Sequence, residues 1–173
     1  TPGLANKLVF HQPLKYAVTF LDCQQSSGAD KAVLTGTPIR QELMKGDKEA
    51  GRQFCGFTSD KPVLMVIGEA GAASVNDHIR KILPELLKAF QVIHLCGKGK
   101  MDETLKGTEG YVQYEYIKEE LPDLLLSDVV ISRAGANAIC EISALHKPNL
   151  LIPLSANASV VTDPECPVLF EKT

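Results

Sequence analysis

Apolar positions along the chain fall into short continuous runs separated by helical stripes. Residues 63–67 (Val63, Leu64, Met65, Val66, Ile67) form one such run, as expected for a strand buried on both faces. Small residues follow at once: Gly68, Ala70, Gly71, Ala72 and Ala73. A helical pattern then runs to about Phe90, with Ile79, Ile82, Leu83 and Leu86 as its apolar stripe. Ser74 or Asn76 is the expected N-cap, and Pro84 predicts a kink or a short interruption. The same order recurs at residues 128–153. Val129, Val130 and Ile131 make a strand, and Ser132, Ala134, Gly135 and Ala136 make a tight turn. Ile139, Ile142 and Leu145 mark a helix, Lys147-Pro148 stops it, and residues 150–152 start another strand.

The intervening segments alternate in the same way. Residues 16–21, 32–35, 91–95 and 111–116 read as strands, the last rich in β-branched and aromatic residues. Residues 24–28 and 57–61 read as loops and residues 97–100 as a turn. The stretch 39–54 begins extended and becomes helical, with a break near Gly46-Asp47, and residues 121–126 read as a short helix. Strands alternating with helices predict an α/β fold: a Rossmann-like, doubly wound, mostly parallel sheet wrapped on both faces. Ligands of such sheets bind at the carboxyl ends of the strands. The turns at Gly68, Gly97 and Ala134, together with Ile117, all lie at that edge. Turns of small residues let a ligand approach the backbone and leave the N–H groups of a helix start open to it, which suits a phosphate. The Gly68 turn is neither a GxGxxG nor a P-loop motif.

Composition narrows the chemistry. With 173 residues the chain is long enough for a sizeable core, and a net charge of −3 gives no basic excess for nucleic acid. The small basic groups (Arg80 and Lys81; Lys98, Lys100 and Lys106) read as solvated faces. Five cysteines (Cys23, Cys55, Cys96, Cys140 and Cys166) lack a CxxC spacing and read as free thiols of a reducing cytoplasm, with no metal site. No apolar run approaches the ~18 residues of a membrane span, and no signal peptide is visible. The histidines do not form a Ser/His/Asp or Cys/His constellation. His94 reads as a structural histidine at a strand end, and Arg133 as a residue that stabilises its strand end.

Taken together, the motifs resemble a known family. Gly36-Thr37-Pro38-Ile39-Arg40 matches its Gly-Asn-Pro-Val-Arg segment, and Gly68-Glu69-Ala70-Gly71-Ala72 stands at the place of its Gly-Gly-Ser-x-Gly-Ala loop. His94-Leu95-Cys96-Gly97-Lys98 matches its His-x-x-Gly-Lys segment. Tyr116-Ile117 before Lys118-Glu119-Glu120 matches its Phe-Ile, and residues 132–141 match its Ser-Arg-Ser/Ala-Gly-Ala…Glu signature. The family is that of the bacterial GT-B transferases that add N-acetylglucosamine to undecaprenyl-pyrophosphoryl-muramoylpentapeptide (lipid I), giving lipid II. The likeness is to its C-terminal, donor-binding half, over roughly residues 2–157.

The resemblance implies a UDP-N-acetylglucosamine site with no cofactor and no required metal. Glu141 would bind the ribose diol, and the backbone of Ile117 the uracil edge. Arg40 and the turn of Gly68, Ala70, Gly71 and Ala72 would hold the diphosphate. The helix start of Gly135, Ala136, Asn137, Ala138, Ile139 and Cys140 would complete the site. It implies domain boundaries of 1–157 for the UDP-sugar domain, with 1–14 leading in from an N-terminal domain, and 158–173 as an atypical tail. The lipid-linked acceptor and the catalytic base would belong to that N-terminal half, through which the intact enzyme would dock on the cytoplasmic face of the plasma membrane. Three departures stand out. The Gly-rich loop is one residue shorter than the family's, with Glu69 in the place of its serine donor; the tail lacks the family's Gln-x-x-Asn-Ala segment; and the N-terminal half is missing, so that this chain alone is expected to be inactive. They keep two other readings open: a non-catalytic or engineered fragment of this fold, and a UDP-N-acetylglucosamine enzyme of another reaction, such as an epimerase.

Overall fold

The computed structural model describes residues 15–19, 31–39, 41–44, 47–68, 73–116 and 126–152. The chain divides into two compact units, one of them Ile39–Pro153. Strands β1 (Tyr16–Val18) and β2 (Ala32–Leu34) belong to the other unit and pair in parallel, with Ala17 opposite Val33. The expected loop at 24–28 lies outside the described residues.

Unit Ile39–Pro153 is built on a five-stranded parallel sheet. Its strands are β3 (Val63–Ile67), β4 (Gln91–Leu95), β5 (Tyr111–Tyr114), β6 (Val129–Arg133) and β7 (Asn149–Ile152), in the spatial order β5-β4-β3-β6-β7. The chain walks outward from β3 to β5, then returns to the other side of β3 for β6. This reversal is the topological switch of a doubly wound sheet, and it falls between β3 and β6. In register, Ile67 pairs with Leu95 on one side and Ser132 on the other.

The alternation of β3 explains why its sequence is apolar at every position. Val63, Met65 and Ile67 face one core with Leu43, Phe57, Ile93, Leu95, Val130 and Ile142. Leu64 and Val66 face a second core with Val75, Ile79, Leu83, Val92 and Tyr111. Burial of each such side chain contributes roughly 1.5–3 kcal/mol. The first core is covered by a 3-10 turn (Gln41–Met44) and by helices α1 (Lys48–Phe54) and α3 (Ala136–Ala144); the second by helix α2 (Ala73–Ala89).

The break expected near Gly46-Asp47 has a cause: Asp47 is the N-cap of α1, its carboxylate accepting from Glu49 N at 2.8 Å and Ala50 N at 3.3 Å. Asp128 locks the entry edge of the sheet. Its Oδ2 accepts from Val63 N at 2.8 Å, and its Oδ1 is paired with Lys48. Desolvation alone would raise the Asp128 carboxyl, but these bonds outweigh it and hold it below the usual range.

Several sequence expectations are corrected. Helix α2 starts at Ala73, so Ser74 and Asn76 lie inside it and neither is the cap. It continues through Pro84 without interruption. Ile82 is 48 % exposed; the buried stripe is Val75, Ile79 and Leu83, with Leu86, Leu87 and Phe90 packed alongside. In α3 the core-facing residues are Ala138, Ile142 and Leu145, and Ile139 stays half-buried beside them. Arg80 is not on a solvated face, since one of its terminal nitrogens, Nη2, donates to Lys100 O and Gln113 Oε1. Strand β5 ends at Tyr114 rather than Tyr116. Of the short helix expected at 121–126, only Leu126 is described.

Candidate functional site

Three strand ends meet at the carboxyl edge around the switch. Gly68 follows β3, Cys96 follows β4, and Ala134-Gly135 follow β6. Because Ile67 pairs with Ser132, the turns after β3 and β6 begin one strand spacing apart, about 5 Å.

At the β6 turn, Ala134 N donates to Ile152 O at 3.1 Å and Gly135 N to Arg133 O at 2.8 Å. Gly135 is the N-cap of α3, in extended backbone, and its cap has no side-chain hydrogen bond. The first intrahelical bond is from Ile139 N to Gly135 O at 2.9 Å. The N–H groups of Ala136, Asn137 and Ala138 therefore precede the helical ladder. Gly135, Ala136 and Asn137 are exposed, and a Cβ on Gly135 would meet nothing within 4 Å. This is an open helix start with donors facing outward. Glu141 lies on the same helix five residues past Ala136, about 7–8 Å along the axis, and is half-buried. Cys140, beside it, is also half-buried and is not in a disulfide.

At the β3 turn the glycine has another reason to be small. Gly68 is buried, and its N–H donates to Leu95 O at 2.8 Å. A Cβ there would lie 2.0 Å from Asn76 Oδ1. Asn76 itself is 1 % exposed, and its Nδ2 donates to Cys96 O at 2.8 Å. Its Oδ1 lies 3.0 Å from His94 Nε2, and His94 Nδ1 lies 2.8 Å from Tyr111 Oη. His94 is thus the structural histidine the sequence suggested: it is fully buried, and burial, with the nearby Arg80 charge, lowers its pKa to about 4. The burial of Asn76 is not visible in the sequence, because a polar residue early in a helix reads as a cap. Its partners lie about twenty residues away and leave no local signal.

Of the residues expected to hold ligand, Gly68, Gly135, Ala136, Asn137, Ala138, Ile139, Cys140 and Glu141 come together at this edge. Arg40, Ala70, Gly71, Ala72 and Ile117 lie outside the described residues, as does Glu69. A cavity of about 410 Å³ opens beside α2, lined by Asp77, Arg80, Lys100, Asp102 and Glu103 among others. Its mixed charge does not suit a diphosphate. Among the described residues there is no cluster of three His, Cys, Asp or Glu that could hold a metal, and no helix long and apolar enough to cross a membrane. Burial pushes the Cys55 thiol up to about 11 and raises that of Cys96, so neither is a ready nucleophile.

Comparison with known proteins follows the same lines. The glycosyltransferase family 28 C-terminal domain matches residues 63–161. A UDP-N-acetylglucosamine–N-acetylmuramyl-(pentapeptide) pyrophosphoryl-undecaprenol N-acetylglucosamine transferase of Lachnospira eligens is 62 % identical over 161 residues, 92 % of this chain and 46 % of that protein. The transferase of the same name from Clostridium perfringens is 59 % identical, over 92 % of this chain and 45 % of its own length. The chain thus spans about half the length of the curated relatives it matches. The crystal structure of Acinetobacter baumannii MurG superposes with a TM-score of 0.55 at 20 % identity, covering 90 % of this chain and 44 % of that one. The α/β fold is that of one half of a GT-B glycosyltransferase, and the chain belongs to the glycosyltransferase family 28 C-terminal domain family.

Proposed function

We propose that this chain is the donor-nucleotide half of a transferase that moves N-acetylglucosamine from UDP-N-acetylglucosamine to lipid I, giving lipid II. The observation that carries the reading is the pairing of two small-residue turns on adjacent strands at the switch, with Glu141 five residues into the helix that follows the second. The relatives' names, at about 60 % identity, supply the substrate class. In this reading Glu141 accepts from the ribose hydroxyls, and the backbone at Ile117 meets the uracil. Arg40 and the starts of α2 and α3 face the diphosphate. The acceptor hydroxyl, held by parts of the enzyme outside this chain, attacks the anomeric carbon with inversion and gives its proton to a base in those same parts. The glycosidic bond to UDP breaks, and the diphosphate leaves with its new charge. Helix N-termini aimed at that charge stabilise it more in the transition state than in the ground state. The reading needs no metal. The lipid-linked acceptor implies that the intact enzyme works at the cytoplasmic membrane surface.

UDP titration tests this reading. The chain is expected to bind UDP, and Glu141→Ala to weaken binding by about 1–3 kcal/mol, as for a lost charge-assisted hydrogen bond. If the parent binds UDP and a 2′,3′-dideoxyribose analogue equally well, Glu141 is not the ribose ligand.

A further inference from the structure

The buried polar string between α2 and β4 has no part in the chemistry above, yet it ends on the residue that opens the β3 turn. Its bond directions determine one another. Asn76 Nδ2 donates to Cys96 O, so its Oδ1 is left to accept, and the hydrogen of His94 sits on Nε2. Nδ1 of His94 then accepts, and the Tyr111 hydroxyl donates to it. Every link is satisfied in one arrangement only. The last two carbonyls of this edge are shared between the turn and the helix: Leu95 O takes the Gly68 N–H, and Cys96 O takes the Asn76 amide. The Asn76 amide oxygen fills the place a side chain at position 68 would need. One helical turn on, Arg80 donates to Lys100 O and Gln113 Oε1, so the polar edge of α2 grips the segment after β4 at two levels.

Replacing the whole string by well-packed apolar groups would cost little stability, since a satisfied buried hydrogen bond contributes little net, whereas removing one member leaves its partners unpaired. What such a string supplies is a single geometry. We infer that Asn76 is a positioning residue for the nucleotide site: it sets where Gly68 and the first turn of α2 stand over the switch, and so where the diphosphate is held. The part concerning nucleotide rests on the function proposed above; the part concerning the turn does not.

Three variants test it. Asn76→Asp keeps the acceptor for His94 and loses the donor to Cys96 O. Asn76→Ala removes both. Tyr111→Phe breaks the far end of the string and leaves the Asn76–Cys96 bond and the Gly68 contact intact. Each is followed by thermal unfolding, by hydrogen exchange of the Gly68 amide, and by UDP titration. All three are expected to lose stability. Gly68 exchange should rise about tenfold or more in the Asn76 variants, beyond what their lost global stability explains, and stay near the parent in Tyr111→Phe. UDP affinity should fall about tenfold in the Asn76 variants and hold in Tyr111→Phe. Should Asn76→Ala not fold, the near-isosteric Asn76→Asp carries the test. The inference is overturned if Gly68 exchange tracks global stability alike in all three variants, or if folded Asn76→Asp binds UDP as the parent does. A parent chain that does not bind UDP would remove the nucleotide reading, while Gly68 exchange would still decide whether Asn76 positions the turn.

Discussion

Gly68 and Gly135 each follow a strand of the central sheet, each precede a helix, and begin turns one strand spacing apart. Around Gly68 the protein itself takes up the room, with Asn76 Oδ1 2.0 Å and Leu95 O 3.2 Å from where a Cβ would stand. Around Gly135 there is nothing within 4 Å. One glycine is small because the protein needs the volume, the other where a ligand could use it. A small-residue turn is therefore two different signals, and only the second points directly to a binding surface. On the function proposed above, the β3 turn would contribute to the site through position, and the β6 turn through exposed donors.

The strongest way to break this comparison is Gly68→Ala. Its methyl would overlap the Asn76 amide and force the buried string apart, so a loss of about 3 kcal/mol or more in urea unfolding is expected. In an Asn76→Ala background the same change should cost distinctly less, because the overlapping atom is gone. A Gly68→Ala protein as stable as the parent would mean that the turn is not packed as described.

The string also predicts a pH dependence. His94 has an ordinary pKa of 6.5 when unfolded and about 4 when folded. Between those values the unfolded chain binds a proton that the folded chain refuses. Stability from His94 is thus complete above pH 6.5 and drains away as the pH falls toward 4, by about 3 kcal/mol in all. Urea unfolding at pH 7, 6 and 5 should fall more steeply for the parent than for His94→Gln. Parallel curves would show that His94 is not held neutral.

Glu69 sharpens the comparison from the ligand's side. It follows Gly68 in sequence, and if the proposed diphosphate site is right its carboxylate opposes a ligand of like charge. The raw repulsion at ~4–6 Å and an effective dielectric near 20 is roughly 3–4 kcal/mol, and salt lowers it. Calorimetry at low salt should find that Glu69→Ser binds UDP more tightly by about 1–2 kcal/mol. Equal affinities would mean that the carboxylate faces away from the ligand. The smallest effect belongs to Gly135→Ala, which meets open space and backbone of ordinary sign, and should change stability by less than about 1 kcal/mol.

The sheet was legible because strands buried on both faces must be apolar at every position, as Val63 to Val66 are. The helix stripes were legible less finely. Ile82 has the right spacing for the core, yet the helix turns a polar residue, Asn76, inward and leaves Ile82 in solvent. Asn76 looks like a cap because capping is a local habit of asparagine, whereas its bonds here reach Cys96 and His94 across the sheet. The Gly135 turn and the place of Glu141 followed from strand–turn–helix order. The packing reason for Gly68 did not, because it depends on a side chain eight residues later folding back over it.

The central claim is that a nucleotide binds across the switch, against the open start of α3. Titrating UDP into the isotope-labelled chain and following backbone amides tests it most directly. The expected result is saturable shifts at Ala136, Asn137 and Ala138, with Gly68 shifting alongside and the Val63 end of the sheet unmoved. Saturable binding that leaves the α3 start unshifted, or no binding at millimolar UDP, would contradict it.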